Sequence, residues 1–126
     1  MGCAKIGAIA VPAFSGYGSE ALATRLQASE SALLVTIDST TRRGKTIGMK
    51  AIADDAAALC PALKHMFVIR GSGQPVEMQT GRDEWWDSLP ALAGAARART
   101  AMMDPNDPLC IIYTSGTTGA PKGVVH

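Results

Sequence analysis

Five consecutive residues, Leu33-Leu34-Val35-Thr36-Ile37, show no alternation of apolar and polar positions. A strand of that kind keeps no face for water, so it reads as a member of a parallel sheet covered on both sides. Its flanks agree. Upstream, Leu22 and Leu26, with Ala21 and Ala28, recur near helical spacing up to about Ser29, and Ser19 is a plausible N-cap. Downstream, Ile52, Ala56 and Leu59 stand at i, i+4 and i+7 and define a helix face that Pro61 should end near Cys60. Residues 66–69 are the next short apolar strand. Alternating strands and helices specify an α/β domain.

The remaining segments are read in the same way. Residues 9–14 are apolar, contain Pro12, and run into Ser15-Gly16-Tyr17-Gly18, which resembles a strand end opening into a loop. Residues 39–45 have loop composition and carry Arg42, Arg43 and Lys45 within four positions. Residues 74–83 read as an exposed excursion, and residues 84–89 as a short amphipathic helix that anchors Trp85 and Trp86 on the core. The alanine-rich residues 91–98 could continue it, with Gly94 as a weak point. Residues 104–108 form a turn cluster, and residues 109–113 a last buried strand in which Cys110 is an inert thiol. Asp54 and Asp55 read as a solvated helix face. No repeat or linker marks a boundary, so residues 1–126 are one domain or part of one.

Composition excludes several classes. Hydrophobic residues make up 47% and charged residues 18%, which excludes disorder. The formal net charge of +1, from 12 Lys+Arg against 11 Asp+Glu, gives no overall field for a nucleic acid or an anionic membrane. Cys3, Cys60 and Cys110 are widely spaced and odd in number, with only His65 and His126 beside them, so neither a disulfide framework nor a zinc site is indicated. No apolar run approaches the roughly 20 residues that span a bilayer. The run from Ile6 to Val11 is short for a signal-peptide core, and Ile6 stands where a myristoylation motif needs Ser or Thr. A reducing cytoplasm is the expected location.

Behind the last strand comes Tyr113-Thr114-Ser115-Gly116-Thr117-Thr118-Gly119-Ala120-Pro121-Lys122-Gly123. A polyphosphate needs backbone N–H donors, hydroxyls and a cation, and here glycines free the amides while Thr114, Ser115, Thr117 and Thr118 supply hydroxyls. Lys122 supplies a flexible point charge suited to phosphate oxygens. The Walker spacing is absent, since Pro121-Lys122 follows Gly119-Ala120 and a glycine follows the lysine. The exit Gly123-Val124-Val125 favours a strand, so no helix dipole is expected to help, and hydroxyls and lysine must carry more of the binding.

This eleven-residue pattern resembles the signature loop of the AMP-forming adenylating superfamily, which includes acyl-CoA synthetases, non-ribosomal peptide adenylation domains and luciferases. Further stretches resemble its acetyl- and propionyl-CoA synthetase branch: Lys5-Ile6-Gly7-Ala8-Ile9, Phe14-Ser15-Gly16-Tyr17-Gly18-Ser19-Glu20-Ala21, Arg42-Arg43-Gly44-Lys45, Gly81-Arg82-Asp83-Glu84-Trp85-Trp86 and Asp107-Pro108-Leu109. The resemblance covers essentially the whole chain. It implies a flavodoxin-like parallel sheet with helices on both faces, as an incomplete N-terminal, AMP-binding domain.

The resemblance also implies an acid-thiol ligase that uses Mg-ATP (with Mg2+) and coenzyme A. A carboxylate attacks the α-phosphate, pyrophosphate leaves, and the thiolate of coenzyme A then displaces AMP from the acyl-adenylate. Thr114, Ser115, Gly116, Thr117, Thr118, Gly119 and Lys122 would hold the β- and γ-phosphates. Phe14, Gly16, Arg42 and Lys45 would lie near the nucleotide end of coenzyme A. Lys45 stands where the branch often has arginine, and Ser15 and Gly18 depart from its commonest pattern. No catalytic side chain or metal ligand is carried over. The partners are small molecules, with neither nucleic acid nor membrane among them.

The chain ends before the family's adenine-contacting segment, acyl pocket, hinge and catalytic C-terminal lysine, so it is expected to be inactive alone and to carry no acyl-length preference. The residues leave a second reading open: a non-catalytic nucleotide- or phosphate-binding module with a self-sufficient sheet. A third reading is a structural unit that binds no nucleotide. A fragment should expose apolar surface where missing strands belong, whereas a self-sufficient module should not.

Overall fold

The structure, a computed structural model, describes residues 1–93, 98–114 and 121–126, without the side chains of Leu92 and Ala93. In chain order the elements are α1 (Gly2–Lys5), α2 (Ser19–Ala28), β1 (Leu33–Ile37), β2 (Thr40–Arg42), β3 (Lys45–Ile47) and α3 (Met49–Ala58). Then come β4 (His65–Ile69), β5 (Asp83–Trp85), a 3-10 turn at Trp86–Ser88, α4 (Leu89–Ala93), β6 (Ile111–Thr114) and β7 (Lys122–Val125). They fall into two compact units, Ser15–Gly94 and Met1–Phe14 with Ala95–His126.

The unit of residues 15–94 is mixed α/β around a parallel three-stranded sheet in the order β1-β4-β5. Leu33 pairs with His65, Leu34 with Met66, and Val68 with Trp85. The strand pleat sends Leu34, Thr36, Met66 and Val68 to one face and Leu33, Val35, Ile37, Phe67 and Ile69 to the other. The first face is the core. Met66 and Val68 are fully buried with Ala23 and Leu26 of α2, Ala53 and Ala56 of α3, and Cys60 and Leu63. Each of the larger ones, Leu26, Leu63, Met66 and Val68, stabilises the fold by about 1.5–3 kcal/mol on leaving water.

Cover on both faces of β1 is not what this unit shows. Leu33 is 45% exposed and Val35 47%, and Ile69 of β4 is 38% exposed beside them. The apolar run therefore marks a strand made for two covered faces, of which the described residues of its own unit supply one.

Other expectations are corrected in detail. Gly18, and not Ser19, is the N-cap of α2, with no side-chain cap bond. Lys50, Ala53 and Ala56 are the buried residues of α3, and Cys60 continues the buried side past its end, while Leu59 is half-exposed as the residue that caps the helix. Small alanines win this face because they let α2 approach closely. Residues 39–45 are no loop: Thr40 pairs with Ile47 and Arg42 with Lys45, and the two-residue turn Arg43-Gly44 has positive φ at both positions, 50° and 74°. That is the backbone of a type I′ turn, whose twist matches the strands it joins.

Residues 84–85 are strand instead of helix, because β5 completes the parallel ladder beside β4. Trp85 lies under the Arg70 guanidinium at 3.8 Å, and Trp86, in the 3-10 turn, meets Phe67 edge-on at 6.4 Å. The excursion 74–83 ends buried at Asp83, with Met78 half-buried against the core.

In the other unit β6 and β7 form an antiparallel pair. The expected strand over residues 9–14 contributes one parallel bridge, Ala10 to Cys110, in which Ala10 N–H donates to the Leu109 carbonyl at 3.1 Å and Ile111 N–H to the Ala10 carbonyl at 2.9 Å. Pro12 has no N–H with which to extend it. Cys110 is only half-buried and precedes β6. No described helix is long and apolar enough to cross a membrane.

Candidate functional site

The β6–β7 pair carries both ends of the hydroxyl-rich loop. Thr114 closes β6, Lys122 opens β7, and the register sets them directly opposite each other. Both side chains are exposed, so a hydroxyl and an ammonium stand together where the loop leaves the ladder. The Thr114 hydroxyl donates to the Lys122 carbonyl at 3.4 Å, a long bond that leaves it open to a better acceptor. Ser115, Gly116, Thr117, Thr118 and Gly119 lie outside the described residues. The strand expected after Lys122 is present as β7.

Gly123 serves a different purpose from loop flexibility. It pairs with Tyr113, and a Cβ built on it would stand 3.0 Å from Ile111 Cγ2 and 3.1 Å from Tyr113 Cε1. The tyrosine ring lies across the glycine, so a side chain there would push the ring aside by a few tenths of an ångström.

The second group of candidates is the basic hairpin. Arg42 and Lys45 are a directly opposed pair, exposed at the tip of β2–β3, with Arg43 in the turn between them. Like charges facing across a ladder repel, and an anion placed between two such charges relieves that repulsion. Phe14, at 59% exposure, ends the first segment of one unit, and Gly16, also exposed, lies in the other.

Below that hairpin the structure has buried a carboxylate that sequence reading passed over. Asp38, 1% exposed, follows β1 and accepts the N–H groups of Ser39, Gly71 at 3.0 Å, Ser72 at 3.2 Å and Gly73 at 3.1 Å. Burial alone would push this carboxyl up, and the four N–H donors outweigh it and hold it below its ordinary value.

A second buried group ties α3 to β5. Lys50, 1% exposed, donates to Asp54 at 2.6 Å, lies 2.9 Å from Asp83, and reaches the Glu77 carbonyl at 2.9 Å. Arg82 bonds both Asp83 and Asp54. Asp54 is thus part of an ion cluster instead of a solvated face, while Asp55 is exposed. Burial would raise the Asp83 carboxyl, but bonds from Arg82, the Gln79 amide and Lys50 bring it down to about 2.

A profile of the AMP-binding enzyme family matches residues 1–126, the whole chain. The chain belongs to the AMP-binding enzyme family. Among curated proteins, the chain is 46% identical over 127 residues to the acetyl-coenzyme A synthetase of Coprinopsis cinerea, and 45% identical to that of Deinococcus radiodurans. Both alignments take in all of the chain and 19% of the relative. Among solved structures, acetoacetyl-CoA synthetase from Streptomyces lividans superposes with a TM-score of 0.83 at 26% identity, over 98% of this chain and 18% of that one. The chain therefore spans about a fifth of the length of these relatives, and its α/β fold is that of the matching portion of one of them.

Signals for the overlooked residues exist in the sequence. Asp38 directly follows an apolar strand and precedes a hydroxyl cluster, the place of an acceptor that turns a chain. Lys50 stands three residues before Ala53 and six before Ala56, on the apolar side of its helix, where a lysine must find a partner.

Proposed function

We propose that this chain is part of an AMP-forming acyl-CoA ligase of the acetate-CoA ligase type. The acid's carboxylate oxygen bonds to the α-phosphorus of ATP, and the bond to pyrophosphate breaks. The sulfur of coenzyme A then bonds to the acyl carbon, and AMP departs with the former carboxylate oxygen. Steps of this kind depend on positioning and charge neutralisation. Thr114, Ser115, Thr117, Thr118 and Lys122, with the amides of Gly116 and Gly119, hold the leaving pyrophosphate. Magnesium arrives with ATP, and none of these residues is assigned to it. Arg42 and Lys45 meet phosphates of coenzyme A, with Phe14 and Gly16 beside its nucleotide end.

The observation that carries the reading is the register of Thr114 opposite Lys122 at the mouth of the loop, in a chain whose relatives are named acetyl-coenzyme A synthetases. The bare face of β1 and β4 supports the fragment reading over a self-sufficient module. We read the three parallel strands as part of a larger flavodoxin-like sheet with helices on both faces, and the isolated chain as inactive.

The test splices this chain in place of the matching segment of the Deinococcus radiodurans relative and measures acetate-dependent ATP/pyrophosphate exchange. Exchange should be retained, and Lys122→Ala should lower it by roughly 100-fold, the scale of losing one preorganised charge donor. ATP binding by the spliced protein without exchange would favour the binding-module reading. Exchange by the 126-residue chain alone would overturn its incompleteness.

A further inference from the structure

We infer that Asp38 is a positioning residue that fixes where the Arg42 and Lys45 charges stand, so that both meet the phosphates of coenzyme A together. The inference rests on the reading of those two residues as coenzyme A contacts, and it concerns what holds them. Two strands of three residues joined by a two-residue turn cannot hold themselves in place, since an isolated hairpin is marginal even when longer. What fixes the hairpin where it leaves the sheet and where it enters α3 therefore matters, and both places bond to Asp38.

At the entry foot, Ser39 donates its N–H to the Asp38 carboxylate, and its hydroxyl bonds that of Ser72. At the exit foot, Lys50 N–H donates to the Asp38 carbonyl at 3.1 Å. Asp38 N–H donates in turn to the Ile69 carbonyl at 3.0 Å, which ties the residue to the end of β4. The carboxylate gathers the three successive amides of residues 71–73, so the turn after β4 becomes a wall behind the entry foot. That turn packs closely on the strand end: a Cβ on Gly71 would stand 2.5 Å from Ile37 Cδ1 and 2.9 Å from the Ser39 carbonyl oxygen.

The charge matters as well as the shape. Four N–H groups converge on two oxygens, Gly73 on Oδ2 and the others on Oδ1. An amide in this place would offer one acceptor and turn its NH2 toward a donor. A loosened foot displaces a charged tip several residues away, and a displacement of about 1 Å is enough to cost a binding or reacting geometry up to 100-fold.

The experiment uses the spliced ligase described above and compares D38N, G71A and the double variant R42A/K45A. Three readouts are taken: KM for coenzyme A, acetate-dependent ATP/pyrophosphate exchange, and amide hydrogen exchange. D38N should raise KM for coenzyme A about tenfold or more and leave pyrophosphate exchange within about twofold. Its amides should exchange faster over residues 40–47 and 71–73. G71A keeps the carboxylate but lifts the turn, and should give the same selective defect; it decides the question if D38N does not fold.

An unchanged KM in D38N and G71A, with a raised KM in R42A/K45A, overturns the inference and leaves the coenzyme A reading standing. Equal losses in both reactions also overturn it, because Asp38 would then merely support the fold. An unchanged KM in R42A/K45A sinks the coenzyme A reading instead, and amide exchange then decides alone. Faster exchange confined to the two segments keeps Asp38 as the hairpin's anchor, and unaltered exchange removes it.

Discussion

At the residue scale, Lys50 and Asp83 show how much a single buried charge can hold. Each is enclosed by the partner that neutralises it, so removing one strands the other in a low-dielectric place. Lys50→Ala should destabilise the unit by about 3 kcal/mol or more, read from urea unfolding followed by the fluorescence of Trp85 and Trp86. Asp55→Ala, on the exposed side of the same helix, should change stability by less than about 0.5 kcal/mol.

The pH dependence follows from Asp83. Its folded value of about 2 lies below the ordinary 3.8, so its contribution is present above pH 3.8 and is lost as the pH falls toward 2. The size is about 2 kcal/mol, and Asp83→Asn should flatten the acid limb of a stability profile over that window. A profile whose acid limb is the same in the variant would remove Asp83 from the account. None of these pairings was legible beforehand. Asp54 and Asp55 are adjacent and chemically alike, and only the packing of residues 77–83 against α3 distinguishes them.

At the element scale, legibility tracked length and period. Helices α2 and α3 and strands β1 and β4 run five to ten residues with a regular apolar pattern, and all stand close to where that pattern puts them. The three-residue strands did not show themselves, because Thr-Thr-Arg and Asp-Glu-Trp carry no periodicity and are strands only by virtue of their neighbours. In the candidate site, the hydroxyl, glycine and lysine pattern was legible, while the work of Gly123 depended on a cross-strand tyrosine.

Two predictions belong here. Arg43 occupies the left-handed region at φ 50°, so Arg43→Asn, which gives the Asn-Gly pair favoured by this turn, should stabilise the unit by about 0.5–1 kcal/mol in thermal unfolding. Gly123→Val should displace the Tyr113 ring and speed amide exchange across β6 and β7, whereas Tyr113→Ala combined with it should recover part of the loss.

At the scale of the whole molecule, the half-exposed Leu33, Val35 and Ile69 set how the chain behaves by itself. The 126-residue chain should bind a hydrophobic dye and self-associate, and Val35→Lys should reduce both while leaving its circular dichroism unchanged. The same substitution in the spliced ligase should abolish activity by placing a charge inside. A chain that stays monomeric and dark with the dye would show that the face needs no cover.

The bridge between Ala10 and Cys110 has a bearing on the order of events during synthesis. One unit takes residues from both ends of the chain, and the other is a continuous stretch of 80 residues between them, Ser15–Gly94. On a ribosome the middle stretch is complete while the segment holding Cys110 is still to be made, so residues 1–14 must wait without their partner. Compaction of the middle stretch shortens the distance its two flanks must search, which lowers the entropic cost of closing so long a loop. Substitutions at Asp38 or Lys50 should therefore delay the pairing of Ala10 with Cys110, although neither residue belongs to that unit.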